Sequence, residues 1–83
     1  MDKEILAQSV GEVVKTLRKS KNLSQEQLSI KSNISRNYIS ELERGIYSIG
    51  LHGTFQLSES FNIDIGKFID LTKEVYSKKI KKS

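Results

Sequence analysis

Arg36, Asn37, Tyr38, Ser40 and Glu41 place a guanidinium, an amide, a phenol, a hydroxyl and a carboxylate in one short stretch. That mixture of donors and acceptors suits the edges of nucleobases. A guanidinium donates two parallel hydrogen bonds to guanine O6 and N7, and a carboxylate accepts from cytosine N4. Arg36 is the leading candidate for such a contact; the competing reading is an exposed arginine paired with a glutamate. Asn37 suits a base, a phosphate or plain solvent. Tyr38 can offer its ring to a thymine methyl or its hydroxyl to a phosphate, or pack half-buried against a preceding helix. Ser40 and Glu41 lie on the next turn, where a solvated helix charge is the bland reading of Glu41.

Reading a duplex requires these side chains to stand on a rigid element. Residues 24–45, SQEQLSIKSNISRNYISELERG, read as two short helices joined by a tight turn. Ser24 with Gln27 three residues on has the spacing of a capping box. Ser32 and Asn33 interrupt the first helix, and Asn tolerates a left-handed backbone. Ser35 caps the second helix, whose Ile39 and Leu42 share one face, and Gly45 stops it. Arg36, Asn37, Tyr38 and Ser40 then point mostly away from the buried stripe, the arrangement that a helix-turn-helix presents to the major groove. Phosphate contacts would set the register of such a pair on the duplex. The start of the first helix at Ser24 and Gln25 offers free N–H groups and a positive dipole end. Capping alone also explains Ser24. Ser35, Arg44, Tyr47 and Ser48 complete the candidate phosphate set.

These residues resemble the phage Cro and repressor type family of small bacterial and phage regulators. The likeness rests on Leu17-Arg18, Leu23-Ser24-Gln25, Gln27-Leu28, Asn33-Ile34-Ser35, Tyr38-Ile39-Ser40 and Leu42-Glu43-Arg44-Gly45. It continues through Leu51, Phe55, Leu57 and Phe61 to Ile63-Asp64-Ile65, roughly residues 9–70. Ser29 and Asn33 depart from the Ala and Gly usual in that family. The resemblance implies that Gln25 adds its amide to a phosphate contact and that the position of Glu41 reads a base. It also implies a partly buried ion pair between Arg18 and Glu43, structural in role. In layout the chain is most similar to the controller proteins of restriction–modification systems.

The remaining sequence bounds the answer. Eighty-three residues allow one domain with a modest core, expected over about 9–76 with a lysine-rich tail at 77–83. The net charge is +4, and Lys78, Lys79, Lys81 and Lys82 supply four positives, so the rest is formally balanced. The tail reads as a solvated, frayed end or a nonspecific phosphate contact. There is no Cys, which suits a cytoplasmic location, and no secretory leader opens the chain. A lone His52 builds no metal site, and no nucleophile has a base beside it. Neither a catalytic site, a metal nor a cofactor is expected.

Without any alternating segment the chain reads as all-α, a compact five-helix domain. The expected helices are Val10 to about Ser20 (or from near Asp2), Gln25 to about Lys31, Arg36–Arg44, Leu51–Phe61 and a fifth capped by Asp64 and reaching Tyr76. Thr54 is an alternative start for the fourth, because Gly53 inside a helix costs about 1 kcal/mol against Ala. Leu17, Leu28, Ile34, Ile39, Leu42, Leu51, Leu57 and Ile63 are the core candidates. Phe55, Phe61, Ile65, Phe68, Ile69 and Tyr76 are more apolar surface than two short helices hide, so a dimer patch is expected there. The expected function is sequence-specific DNA binding by a homodimer on a palindromic operator, with RNA polymerase as a further candidate partner. The alternative is an antitoxin or protein-sequestering module on the same fold.

Overall fold

Asp2 opens the first helix, its carboxylate accepting from the Ile5 N–H at 3.0 Å. In the computed structural model, which describes residues 1–82, the helices are α1 (Lys3–Ser20), α2 (Gln25–Ser32), α3 (Arg36–Glu43), α4 (Leu51–Ser60) and α5 (Ile65–Lys82). No strand occurs among the described residues. Of the two expected starts for α1, the early one forms. Ser9 is therefore a buried residue inside the helix, donating to the Ile5 carbonyl at 2.7 Å. The α4 start falls at Leu51 despite Gly53, with Gly50 as a cap that lacks a side chain. Thr54 instead donates back to the Gly50 carbonyl at 2.9 Å.

Helix α1 presents Val10, Val13 and Val14 at core spacing, and they meet Leu28, Ile34, Ile39, Leu42, Leu57, Phe61 and Phe68 from the other four elements and the α2–α3 turn. Leu17 and Ile63 pack against this cluster from its edge. Helix α1 packs on α3 and α5, α2 on α3 and α4, and α4 on α5. Gly11 allows the tightest of these approaches. A Cβ there would run into the backbone carbonyl of Leu42 and lie 3.0 Å from that of Glu43.

Three interhelix turns use one device. Asn22-Leu23-Ser24, Asn33-Ile34-Ser35 and Asn62-Ile63-Asp64 each place Asn in the left-handed region (φ 57°, 60° and 56°), then an apolar residue, then a cap. At Asn22 and Asn62 the hydrogen bonds are those of a Schellman motif. Leu23 N–H reaches the Arg18 carbonyl at 3.1 Å, and Ile63 N–H reaches that of Ser58 at 3.0 Å. Gly45 (φ 76°) ends α3 in the same way, Ile46 N–H donating to the Glu41 carbonyl at 3.1 Å. The apolar residue at the centre of each Asn turn swings inward to the core.

Three expectations are corrected. Phe61 and Phe68, expected on a dimer patch, are 0% and 2% exposed and form the middle of the protomer core. Two aromatic rings supply bulk that the short Val and Leu side chains around them do not. Leu51, expected inside, is 68% exposed because it is the first residue of α4 and points off its outer face. The stretch from residue 77, expected to fray, forms the last turns of α5 as far as Lys82. Lys79, Lys81 and Lys82 sit at the helix C-terminus, where positive charge complements the dipole, and Lys79 Nζ lies 3.2 Å from Glu12 Oε1 on α1. Ser83 lies outside the described residues.

Candidate nucleic-acid interface

The α2–α3 pair is stitched locally before anything else touches it. Ser24 and Gln27 form a reciprocal capping box: Gln27 N–H donates to Ser24 Oγ at 3.0 Å, and Ser24 N–H to Gln27 Oε1 at 2.7 Å. Within the turn, Ser29 Oγ donates to the Ile34 carbonyl at 2.5 Å, and Ile34 N–H to Ser32 Oγ at 3.3 Å. The hydroxyl at Ser29 thus supplies a bond that Ala at that position would not. Ser35 accepts from Tyr38 N–H at 3.1 Å and starts α3. Ile39 and Leu42 are wholly buried, which fixes the rotation of α3 about its axis.

That rotation leaves Arg36 and Asn37 exposed at the open end of α3. Arg36 has no ion-pair partner among the described residues, so the paired-arginine reading is not realised. Tyr38, Ser40 and Glu41 are half-buried. The Tyr38 ring lies 5.6 Å from that of Tyr47, tilted by 34°. The Tyr47 hydroxyl donates to Glu41 Oε2 at 3.4 Å. Tyr38, Glu41 and Tyr47 therefore form one cluster, which the sequence did not suggest because Tyr47 lies beyond the glycine that ends the helix.

The remaining candidates divide. Ser35, Arg44, Tyr47 and Ser48 are exposed. Ser24 is exposed too, with its hydroxyl already accepting from Gln27. Gln25 is half-buried, and its amide donates to Glu43 Oε1 at 3.1 Å. The same carboxylate takes Arg18 Nε at 2.6 Å and Arg18 Nη2 at 3.0 Å, while Arg18 Nη1 donates to the Leu23 carbonyl at 2.8 Å. These hydrogen bonds to Glu43 hold the Arg18 guanidinium above its ordinary value, against a smaller opposing effect of burial. The network ties the end of α1, the start of α2 and the end of α3. The candidate phosphate and base residues are held on one frame. Among the expected dimer residues, Phe55 and Ile69 are exposed, and Ile65 and Tyr76 are half-buried. Ile69 and Tyr76 line an apolar groove of about 550 Å³ with Met1, Leu6, Ile49 and Phe68.

The sequence profile of the helix-turn-helix family matches residues 14–68, which contain both helices and the whole frame just described. The chain belongs to the helix-turn-helix family. This helix-turn-helix protein is 33% identical over 63 residues to the control protein C.BamHI of Bacillus amyloliquefaciens, covering 75% of this chain and 78% of the relative. Among solved structures it is similar to the restriction–modification controller protein C.Esp1396I, solved as a tetramer with its natural 35 base-pair operator. That match has a TM-score of 0.78 and 27% identity over 86% of this chain and 93% of the other. The gene regulator ClgR of Corynebacterium glutamicum superposes with a TM-score of 0.85, covering 93% of this chain and 82% of the other. Its 18% identity supports the fold alone. The chain is thus a helix-turn-helix DNA-binding transcriptional regulator related to restriction–modification controller proteins. Its named relatives are regulators and control proteins, not enzymes. Among the described residues, no helix is long and apolar enough to cross a membrane.

Proposed function

We propose that this helix-turn-helix protein is a sequence-specific regulator that acts as a homodimer on a palindromic operator, in the manner of a restriction–modification controller. The observation that carries the reading is Arg36: exposed, unpaired and at the open end of a helix whose opposite face is wholly buried. Arg36 and Asn37 would meet base edges, with Glu41 on the next turn. Ser24, Ser35, Arg44 and Ser48 would flank them as phosphate contacts, and the N–H groups at the start of α2 would add theirs.

One such unit reads half a site. Two copies about 34 Å apart, one turn of DNA, would read both halves. The exposed Phe55 and Ile69 and the apolar groove beside Tyr76 are the surface on which a second copy would seat. The operator-bound tetramer of C.Esp1396I supports that assembly. Operator occupancy would then occlude RNA polymerase or contact it, and the sign of a promoter-reporter response distinguishes the two.

Selection from randomised duplexes tests the reading. The wild type is expected to enrich a palindrome with salt-dependent affinity, and Arg36→Ala to lose that enrichment with its melting temperature unchanged. Enrichment that survives Arg36→Ala, or a protein partner bound equally well by both, contradicts it.

A further inference from the structure

The loop after α3 approaches Glu41 twice. Ile46 N–H donates to the Glu41 backbone carbonyl at 3.1 Å as the chain turns at Gly45. One residue on, the Tyr47 hydroxyl donates to the Glu41 carboxylate at 3.4 Å. The same Tyr47 places its ring 5.6 Å from that of Tyr38, within the range of attractive tilted aromatic pairs. Tyr38 and Glu41 stand three residues apart on α3 and so share a face. A single side chain from the loop thus braces two groups on the helix that carries the base-reading candidates.

A carboxylate against a duplex meets repulsion from every phosphate. It is compensated only where a base presents an amino group, cytosine N4 above all. An untethered glutamate would swing away from the groove and lose that discrimination. Anchored by one oxygen, it keeps the other available in a fixed place. We propose that Tyr47 is a positioning residue for base selectivity: its hydroxyl holds Glu41 ready to accept from cytosine N4, and its ring buttresses Tyr38. This gives Tyr47 a different role from the phosphate contact expected of it from sequence, and it rests on the DNA-reading function proposed above.

The test compares base preferences of the 83-residue chain with those of Tyr47→Phe, Glu41→Ala and the double variant on a randomised duplex library. Tyr47→Phe keeps the ring and removes only the hydroxyl. It is expected to leave melting temperature, nonspecific affinity and salt slope unchanged. Preference at one base pair in each half-site should fall about 3- to 10-fold, the net worth of one ordinary intramolecular hydrogen bond. Glu41→Ala should weaken the same position, and adding Tyr47→Phe to it should change nothing more. A loss uniform across sequences would mark a phosphate contact and overturn the proposal. An unchanged preference, or an effect that persists without Glu41, would overturn it as well. If the wild type selects no sequence, the parent function fails and this inference with it; a selective wild type with an indifferent Tyr47→Phe sinks this inference alone.

Discussion

Arg18 and Glu43 close the end of α1 onto the end of α3 through two parallel hydrogen bonds, Nε to Oε2 at 2.6 Å and Nη2 to Oε1 at 3.0 Å. Their side chains are 11% and 4% exposed. Burying two charges is expensive, and a third donor on Glu43 and a carbonyl on Arg18 offset part of that expense. The pair therefore orients the reading helices more than it adds net stability.

Removing one partner should be worse than removing both. Glu43→Ala strands a buried guanidinium and is expected to destabilise the fold by about 3 kcal/mol or more. Arg18→Met with Glu43→Leu should recover much of that loss. Urea denaturation at fixed protomer concentration reads the difference, and a double variant no more stable than Glu43→Ala contradicts this account.

Gly11 gives a contest between two effects of opposite sign. Mid-helix Gly→Ala normally stabilises by about 1 kcal/mol through helix propensity. Here the added methyl meets the backbone carbonyls of Leu42 and Glu43, which cannot rotate aside as a flexible side chain would. Overpacking of this kind typically costs about 1–3 kcal/mol, so Gly11→Ala should destabilise. It should also weaken DNA binding, because the yielding element is the end of α3. A variant with a raised melting temperature would show that α1 and α3 separate easily.

The three asparagine turns predict a pattern rather than a single value. Asn33 has φ 60°, a backbone that costs an ordinary L-residue about 1–2 kcal/mol and that Asn tolerates better than Ala through its short polar side chain, so Asn33→Ala should destabilise by up to about that amount. Asn33→Gly removes that strain but loosens the unfolded chain, and should fall within about 1 kcal/mol of wild type. Asn22 and Asn62 should behave alike. Equal losses for Ala and Gly at these sites would assign the role to the Asn side chain instead of its backbone.

Those turns show where sequence was legible and where it was not. Caps and stops are local, so Ser24, Ser35, Asn33 and Gly45 announce the edges of α2 and α3 directly. The recurrence of Asn, an apolar residue and Ser or Asp at 22–24 and 62–64 carries the same signal. It goes unnoticed when each turn is read alone. Tertiary relations are another matter. Nothing in the spacing of Gln25 and Glu43 says that an amide free for a phosphate is already donating to a carboxylate. Nor does apolar character alone say that Phe61 and Phe68 lie inside while Leu51 lies outside. All three belong to segments of similar pattern, and only the packing of α5 on α4 and α1 decides which side is covered.

That sorting supplies the sharpest prediction about assembly. Phe55 and Ile69 keep 47% and 45% of their surface in the protomer, whereas Phe61 keeps none. If a second copy seats on this face, Ile69→Asp and Phe55→Asp place a charge in the interface without touching the core. Each should retain wild-type helicity yet sediment as a monomer, with a melting temperature that no longer rises with protein concentration. Operator affinity should fall steeply, because two half-site contacts are no longer linked, while nonspecific binding persists. Phe61→Ala should do the reverse in kind, removing about 3–5 kcal/mol of protomer stability and unfolding a domain this small. Sedimentation with circular dichroism separates these outcomes. A wild type that stays monomeric at tens of micromolar, or an Ile69→Asp protein that still pairs, would move the interface elsewhere on the surface.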